Sequence, residues 1–541
     1  MRKNKLILAM GALALGAGLH AQTVYDITPI MKTELNGTAR FVGMGGAMGA
    51  LGGDITTMGT NPAGIGIYRS NDIAVSMSYN DIQSKGTFNG MTTKDSRSRL
   101  SFDQIGFVYS NKVGNNTSLR FVNFGFNYRK QNNFNKRFAM QGNMEGASQT
   151  KYMAYQTAQS GASYNSFMDM ISLPMNEEYK AYENDRFGWL SVMGGRTGLV
   201  DAAKVTNEDG TKEDWFYGWN GDYASYRSET KGGVNVYDFN VSFNVEDRFY
   251  FGLTVGAYDV DYSRYSVYGE DLYRESDAGD LGASYSFEHW YKTDGSGVDL
   301  KLGFIVRPFE YSPLRLGFAV HTPTWYSLTE SYSARLRSEF DMLNESNQIE
   351  RYNAETDSYD GWGGNVVNDY ELTTPWKFNV SAGYTIGTSV ALGAEYEYAD
   401  YSSAKLKNGD GYEDSYMVTQ NSFIKEDLKG VHTLRLGVEA KLVPEFSIRA
   451  GYNYSSAMYN KNAYKELSPY TTRTDTQYAN GMATNTFTVG LGYKLNNFYA
   501  DMAYVYNTQK SDFYSYDDAS LPATKMKDDK SRVLLTLGVR F

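Results

Sequence analysis

The sequence predicts an all-β protein: a transmembrane antiparallel β-barrel of about 14 strands, with an N-terminal plug and long, partly helical outer loops. Three observations predict this class. Apolar and polar residues alternate at period 2 in segment after segment, which is the period of a β-strand. Short turns and long polar connections alternate along the chain, as in outer-membrane barrels. The chain also begins with a segment typical of exported proteins.

The composition excludes several classes of protein. The 541 residues include 46 Tyr, 28 Phe and 54 Gly, with 10 Pro and no Cys. A chain so rich in aromatic residues is not a disordered polymer. Without Cys it has no disulfide, no thiolate metal site and no cysteine nucleophile. Its 62 Asp and Glu against 52 Lys and Arg give a net charge of −10, which argues against a nucleic-acid partner.

Residues 1–21 are predicted to be a secretory signal peptide. Arg2, Lys3 and Lys5 precede an apolar run over 6–19, and the segment ends with Leu19-His20-Ala21. The run is shorter than the roughly 20 apolar residues that a membrane anchor requires. We therefore expect the protein to be exported.

Residues 22–70 are predicted to form a hatch or plug. The segment is rich in Gly, Ala and Met, so it can thread a narrow space with close backbone contacts. Its glycines are not a phosphate-binding loop, because no Gly-Lys-Ser/Thr follows them. The alternative interpretation is a flexible leader.

Residues 71–541 are predicted to form the barrel. In the clearest segment Tyr237 and Phe239 lie on one face while Asp238 and Asn240 lie on the other. The chain ends on Phe541, in the apolar phase, which suggests recognition of the last strand by the barrel-assembly machinery. A soluble β-sandwich or propeller also alternates and is the competing interpretation. The fourteen predicted strands are 73–79, 105–109, 120–128, 237–245, 249–255, 298–306, 314–320, 378–386, 390–398, 432–440, 446–454, 487–495, 498–506 and 533–541.

The connections predict which end of the barrel faces outward. Short turns join the strands at 387–389, 442–445 and 496–497. Short turns on one side and long loops on the other are typical of a barrel that closes on itself within lipid. The long polar connections, of which the first is the largest, are 130–233, 260–296, 321–377, 399–431, 455–485 and 507–531.

Charged residues occupy the phase that would face the lumen. Buried charges of both signs need partners, so one interpretation is a structural ion-pair lattice across the barrel. The other interpretation is a polar pathway or a set of ligand contacts. The residues chosen are Arg315, Glu395, Glu397, Arg435, Glu439 and Arg449, and Arg129 belongs to the same phase.

Three stretches resemble the FadL-type outer-membrane transporters of long-chain fatty acids and other hydrophobic compounds. Residues 39–47, leading to Asn61-Pro62-Ala63-Gly64, look like the hatch of this family and its Asn-Pro-Ala motif. Residues 434–439 with 444–452 are similar to its late hairpin, and 538–541 to its closing strand. The chain departs from the family in its larger loops and in a hatch richer in Gly and Met.

This resemblance implies passive, TonB-independent uptake. A hydrophobic small molecule would be caught by the outer loops, would enter a pocket lined by the hatch, and would leave sideways through the barrel wall. The resemblance also implies a monomer in the outer membrane of a Gram-negative bacterium, in contact with lipid and lipopolysaccharide. No cofactor, metal or catalytic residue is expected.

The candidate ligand-binding residues are apolar side chains of the hatch and of the largest loop. Flexible Met side chains suit promiscuous apolar ligands. In the loop, the spacing predicts helices, which could equally bury these side chains against one another. The candidates are Phe41, Met44, Met48, Ile55 and Met58 in the hatch, and Phe167, Met168, Ile171, Phe187, Trp189 and Leu190 in the loop.

Three other functions remain open. A haem receptor would use His or Tyr as axial ligands, and an adhesin or structural barrel would bind host molecules through its Tyr-rich loops. An outer-membrane enzyme has least support, because no Gly-x-Ser-x-Gly elbow is present and the histidines are scattered. His289 is expected in a loop, and His321 and His432 at strand ends. Acidic loops such as 207–210 and 357–360 lack the ligand spacing of a calcium loop.

Overall fold

The computed structural model describes residues 22–207, 210–276 and 279–541. The predicted signal peptide, 1–21, lies outside the described residues. The strands are β1 Asp72–Phe88, β2 Met91–Lys112, β3 Leu119–Asn133, β4 Lys136–Asn143, β5 Asp201–Thr206, β6 Lys212–Tyr217, β7 Asn220–Val245, β8 Phe249–Arg274, β9 Leu281–Val306, β10 Arg315–His321, β11 Trp325–Leu343, β12 Ile349–Asp357, β13 Val366–Thr373, β14 Lys377–Ile386, β15 Val390–Asp400, β16 Lys405–Asn408, β17 Gly430–Val443, β18 Phe446–Ser455, β19 Tyr478–Leu495, β20 Phe498–Tyr514 and β21 Thr524–Arg540.

The helices lie before the first strand and in the loops. Short 3₁₀ helices at Ile55–Gly59 and Pro62–Ile67 belong to the N-terminal segment. Among the described residues, no helix is both long and apolar enough to cross a membrane. The α-helices are α1 Val24–Met31, α2 Ala39–Gly43, α3 Gln149–Gln159, α4 Tyr164–Ile171, α5 Tyr179–Tyr182, α6 Trp189–Arg196, α7 Ser358–Trp362 and α8 Ser415–Asp427.

Fourteen antiparallel strands close into a barrel, and each overlaps one of the fourteen predicted strands. Closure is made by β1 and β21, which pair from Asp72 opposite Arg540 to Thr87 opposite Lys525. In the described part of the chain, this pairing leaves neither β1 nor β21 with a free edge toward lipid, as hydrogen bonding within a membrane requires. The order around the wall is β1, β2, β3, β7, β8, β9, β10, β14, β15, β17, β18, β19, β20 and β21.

The two faces of the wall differ as the alternation predicts. Phe239 is 54% exposed on the outer face, whereas its neighbour Asn240 is buried inside. Along β9, Leu302 is exposed and Lys301 is buried. An outer belt of exposed apolar side chains is stable only when it is covered by lipid, so the barrel spans a membrane.

Tight turns connect the strands at one end of the barrel, which we call the turn end. Glu246 and Asp247 both have positive φ, 57° and 54°, which is the conformation of a type I′ hairpin turn between β7 and β8. The opposite end, which we call the loop end, carries the helices and the extra strands. By the asymmetry of such barrels, the turn end is periplasmic and the loop end faces outward.

The strands extend further toward the loop end than the sequence indicates. β8 and β9 have 26 residues each, so most of the region expected as a loop at 260–296 is strand. His289, expected in a loop, lies in β9 and is buried. The reason is that strands above the membrane need no apolar outer face, and their alternation is therefore weak.

The N-terminal segment lies inside the barrel. α1 is buried near the loop end, where Thr28 hydrogen-bonds Tyr459 at 2.5 Å. The chain then descends to Pro62–Ile67, which packs against β7, β8 and β9 near the turn end. The barrel is therefore plugged by the beginning of the described chain.

Candidate functional site: a two-part cavity inside the barrel

Glycines of the wall let the plug approach the strands closely. A Cβ at Gly451 would lie 2.1 Å from the backbone nitrogen of Gly45, and one at Gly393 would lie 2.0 Å from the carbonyl oxygen of Ala47. Both distances are too short for any side chain. At these two positions the backbone of the plug lies directly against the backbone of the wall.

The Asn-Pro-Ala motif organises the turn-end half of the plug. The side-chain oxygen of Asn61 accepts a hydrogen bond from the Ala63 nitrogen at 3.2 Å, which caps the 3₁₀ helix Pro62–Ile67. Its side-chain nitrogen donates to the Gly49 carbonyl at 2.9 Å. Gly64 packs against Thr57 of the preceding 3₁₀ helix. Asn61 therefore ties two turns of the plug together.

The predicted lumen charges form ion pairs with each other and with the plug. Arg449 donates to Glu439 and to Asp501, both at 2.6 Å. Arg435 lies between Glu395 and Glu397 and contacts both carboxylates.

Arg315 is the exception, because it donates to the backbone carbonyl of Leu51 at 2.7 Å and has no ion-pair partner in the described part of the chain. The geometry of the other five residues is that of a buried lattice across the barrel wall.

A cavity of about 230 Å³ lies inside the barrel, between residues of the plug such as Glu34 and Thr60 and the inner face of the wall. Of the five candidate ligand-binding residues in the hatch, Phe41 alone lines it. Its lining mixes polar and apolar surface, and basic groups outnumber acidic ones. The basic side chains are Lys32, Arg129, Lys301, Lys377, Arg435, Lys530 and Arg532, and the acidic ones are Glu34, Asp299 and Glu397. We call it the cationic cavity.

Each acidic group of the cationic cavity is paired with a base. Lys530 contacts Glu34 at 2.7 Å, Lys301 contacts Asp299 at 2.8 Å, and Arg435 contacts Glu397 at 3.1 Å.

Four bases remain without a carboxylate within 4 Å among the described residues: Lys32, Arg129, Lys377 and Arg532. Lys377 donates only to the Thr33 hydroxyl, at 3.2 Å, and the Nε of Arg129 is buried without a partner. The cavity therefore holds a surplus of positive charge.

A second cavity, of about 350 Å³, adjoins the first on its loop-end side. The two share lining residues, among them Lys32, Asn132 and Lys530. Eight aromatic rings contribute to its wall, together with polar and charged side chains, and we call it the aromatic cavity. These rings are Tyr25, Phe134, Phe138, Tyr226, Tyr262, Tyr459, Tyr478 and Phe513.

The six candidate ligand-binding residues of the largest loop lie in a closed apolar core at the loop end, and they line neither cavity. Phe167 and Phe187 are buried there with ring centroids 6.2 Å apart. Trp189 and Leu190 are buried in the same core, and Met168 and Ile171 pack against it.

The other four candidate ligand-binding residues of the hatch are also buried in apolar clusters. Met44 and Met48 belong to one buried cluster, and Ile55 and Met58 to another. Ligand binding by these side chains stays a prediction, since it would require them to move.

The three histidines within the described residues do not meet at one site. His289 packs on Phe287, His321 contacts the Thr60 carbonyl at 2.8 Å, and His432 contacts the Tyr396 hydroxyl on the outer face. Among the residues that the structure describes, no three His, Asp or Glu side chains are grouped to hold a metal ion. The haem-receptor and adhesin interpretations stay untested predictions.

Sequence reasoning missed most of the cavity lining and one feature of the wall. β10 and β11 follow one another at the same position in the wall and are separated by residues 322–324. At the neighbouring position, residues 374–376 separate β13 from β14. Pro323 and Pro375 stand in these interruptions and cannot donate to the ladder. The dipeptides Thr322-Pro323 and Thr374-Pro375 are the sequence feature from which the two interruptions could be predicted.

No family model matches the sequence, and no curated protein matches it either. Solved structures do resemble the fold. A FadL homologue from Pseudomonas aeruginosa is 12% identical, with a TM-score of 0.50, over 94% of this chain and 99% of that chain.

Two toluene transporters also align over 94% of this chain and 99% of their own chains. TbuX of Ralstonia pickettii is 12% identical with a TM-score of 0.43, and TodX of Pseudomonas putida is 10% identical with a TM-score of 0.44.

The likeness to the FadL homologue shows a shared fold, which confirms the predicted FadL-type barrel at that level. A closed barrel of fourteen strands with an apolar outer belt is a protein of the Gram-negative outer membrane.

Proposed function

We propose that this protein carries hydrophobic compounds with an acidic head group, such as long-chain fatty acids, passively into the cell. The observation that carries the proposal is the juxtaposition of the two cavities. An aromatic space opens into a space with surplus positive charge, which matches a molecule with an apolar tail and an anionic end.

The energetics suit capture without an energy source. Burying a methylene group is worth about 0.8 kcal/mol, so an acyl chain gains several kcal/mol among the rings of the aromatic cavity. Lys32 lies at the boundary of both cavities and has no hydrogen-bond or ion-pair partner for its ammonium in the described chain. It is our first candidate for the contact with the head group, with Lys377 second.

The exit is proposed at the proline interruption of the wall. Thr322 and Thr324 line the cationic cavity, while Trp325 and Trp376 are half-exposed on the outer face beside them. Here only one wall layer separates the cavity from lipid. Lateral release at this level would leave the plug seated during transport.

Two hydrogen bonds span the interruption between the neighbouring strands. Thr374 donates to the carbonyl of Thr324 at 3.1 Å, and the nitrogen of Thr324 donates to the hydroxyl of Thr374 at 2.8 Å. Opening therefore breaks fewer wall bonds here than along an unbroken ladder.

Binding of palmitic acid and of its methyl ester to the detergent-purified protein tests the proposal. Both ligands have the same tail, but only the acid carries a charge. We expect the acid to bind at least about tenfold more tightly, and Lys32→Met to remove that preference while the ester binds as before. Lys32→Arg is the matched control and should retain the preference. If the wild type binds the acid and the ester with equal affinity, the ligand does not need an acidic head group. If it binds neither of them, the transport proposal is refuted.

A further inference from the structure

Four lysines stand side by side on the outer face of the barrel, toward the loop end. In the strand register Lys85 of β1 lies opposite Lys94 of β2 on one side and opposite Lys527 of β21 on the other. Lys527 in turn lies opposite Lys510 of β20. We call these four residues the lysine row. With neighbouring strands about 4.8 Å apart, the row spans roughly 14 Å.

Most of the positive charge in the lysine row is uncompensated. Lys85, Lys94 and Lys510 are exposed, and their ammonium groups have no hydrogen-bond or ion-pair partner among the described residues. Lys527 contacts Asp529 at 2.7 Å.

The nearby acidic groups have partners of their own. Asp512 pairs with Lys525 at 2.8 Å, and Asp81 accepts from Ser98. Like charges directly opposite each other destabilise a sheet, so a row of lysines is costly unless an anion covers it.

The lysine row lies just above the lipid belt. Tyr79, exposed on the same face of β1, lies opposite the exposed Leu100 of β2 and marks the upper limit of the belt. Lys85 follows six residues later, which places it about 15 Å higher along the barrel axis for a strand tilted by roughly 40°. This is the level of the head groups of the outer leaflet.

We propose that the lysine row is a binding site for the phosphate groups of lipopolysaccharide. The outer leaflet presents phosphorylated sugars at this level, and several ammonium groups in a line can contact more than one phosphate of the same molecule. Bound phosphate also relieves the repulsion within the row. The site is independent of the transport proposal, because it lies on the outer surface and not on the ligand path.

Lipopolysaccharide binding to the intact protein, measured in detergent, tests the site. The variant Lys85→Ser, Lys94→Ser, Lys510→Ser removes three charges from the lysine row. The matched control Lys231→Ser, Lys292→Ser, Lys405→Ser removes three charges from exposed lysines that each pair with a carboxylate. The three probes are lipopolysaccharide, the same material after dephosphorylation, and the phospholipid phosphatidylglycerol.

We expect the row variant to bind lipopolysaccharide at least about tenfold more weakly than the wild type, and the control variant to bind within about twofold of it. Dephosphorylated material should bind the wild type as weakly as it binds the row variant. Heat-modifiable migration in gels checks that both variants are folded. Wild-type affinity in the row variant, equal losses in both variants, no effect of dephosphorylation, or equally tight binding of phosphatidylglycerol would each overturn the proposal.

Discussion

Arg40 of the plug donates two hydrogen bonds to the carboxylate of Glu439 on strand β17, at 2.9 and 3.0 Å. This bidentate pair is the strongest type of ion pair that proteins form, and Glu439 also accepts from Arg449 at 2.6 Å. The carboxylate of Glu439 on β17 therefore connects Arg40 of the plug to Arg449 of the neighbouring strand β18. The seat of the plug depends on this junction as well as on the glycine contacts.

Glu439→Gln should destabilise the barrel, because it leaves two guanidinium groups close together without their shared carboxylate. The expected loss is about 3 kcal/mol in the free energy of unfolding in detergent. Glu355→Gln is the control, since Glu355 pairs with Arg337 at 2.9 Å on the surface with both side chains half-exposed. Its cost should stay below about 1 kcal/mol. Equal effects of the two variants would contradict a structural role for the buried lattice.

Asn61→Ala together with Pro62→Gly should loosen the plug and raise the leakage of small polar dyes into cells. The change removes the cap of the 3₁₀ helix and the bond to Gly49, at a cost of about 1–2 kcal/mol. Asp414→Ala removes a comparable cap, that of α8 in an outer loop, and should leave leakage unchanged. Dye permeability like that of the wild type would argue against Asn61 as an organiser of the plug.

Gly451→Ala should displace the plug, because the new Cβ would lie 2.1 Å from the backbone of Gly45. We expect larger and noisier single-channel conductance in planar bilayers. Gly114→Ala is the control, since its nearest contact would be the Thr117 hydroxyl at 3.2 Å in a turn. If both variants conduct like the wild type, the close approach of plug and wall is wrong.

The loop end should lose stability as the pH rises from about 4.5 to 7. Burial raises the pKa of Glu270 to about 7, against the hydrogen bonds that it accepts from Ser148, Tyr268 and the Gln149 nitrogen. The folded protein therefore holds a proton that the unfolded chain has released in this range, so stability falls with increasing pH and levels off above 7. The protection factors of the α3 amides, that is, hydrogen-exchange rates corrected for the intrinsic effect of pH, should be larger at pH 5 than at pH 8. Glu270→Gln should remove this dependence, and a dependence that persists in the variant would assign it to another group.

A disulfide across the proline interruption should block transport. The chain has no natural Cys, so Thr324→Cys with Thr374→Cys can be oxidised without interference. Uptake of labelled fatty acid by cells should fall under oxidation and recover with reductant. Thr433→Cys with Ser455→Cys joins opposite residues of β17 and β18 that also line the cationic cavity, and should have no effect. Normal uptake by the oxidised pair at the interruption would place the exit elsewhere.

The barrel could be predicted from the sequence because lipid imposes a strict rule on its strands. Each strand within the membrane must present apolar side chains outward and be fully paired, and segments such as 237–245 show this pattern at once. Outside the membrane this rule does not apply, which is why the sequence does not predict the upper half of β8, ending at Arg274, as strand.

The cavities could not be predicted, because their walls are assembled from distant parts of the chain. Lys32, Tyr226 and Phe513 meet only after the barrel has closed, and no spacing in the sequence connects them. The sequence predicts the candidate residues of the hatch from their apolar character. The same character buries Met44 and Met58 in closed clusters and leaves polar side chains to line the cationic cavity.

The most direct test of the proposed function is a cryo-electron microscopy map of the protein extracted from its own outer membrane without refolding. The account predicts elongated density with its apolar end among Phe134, Tyr226 and Phe513 and its polar end at Lys32. Density for a planar macrocycle beside a histidine, or cavities that hold only water when fatty acid is added in excess, would contradict it.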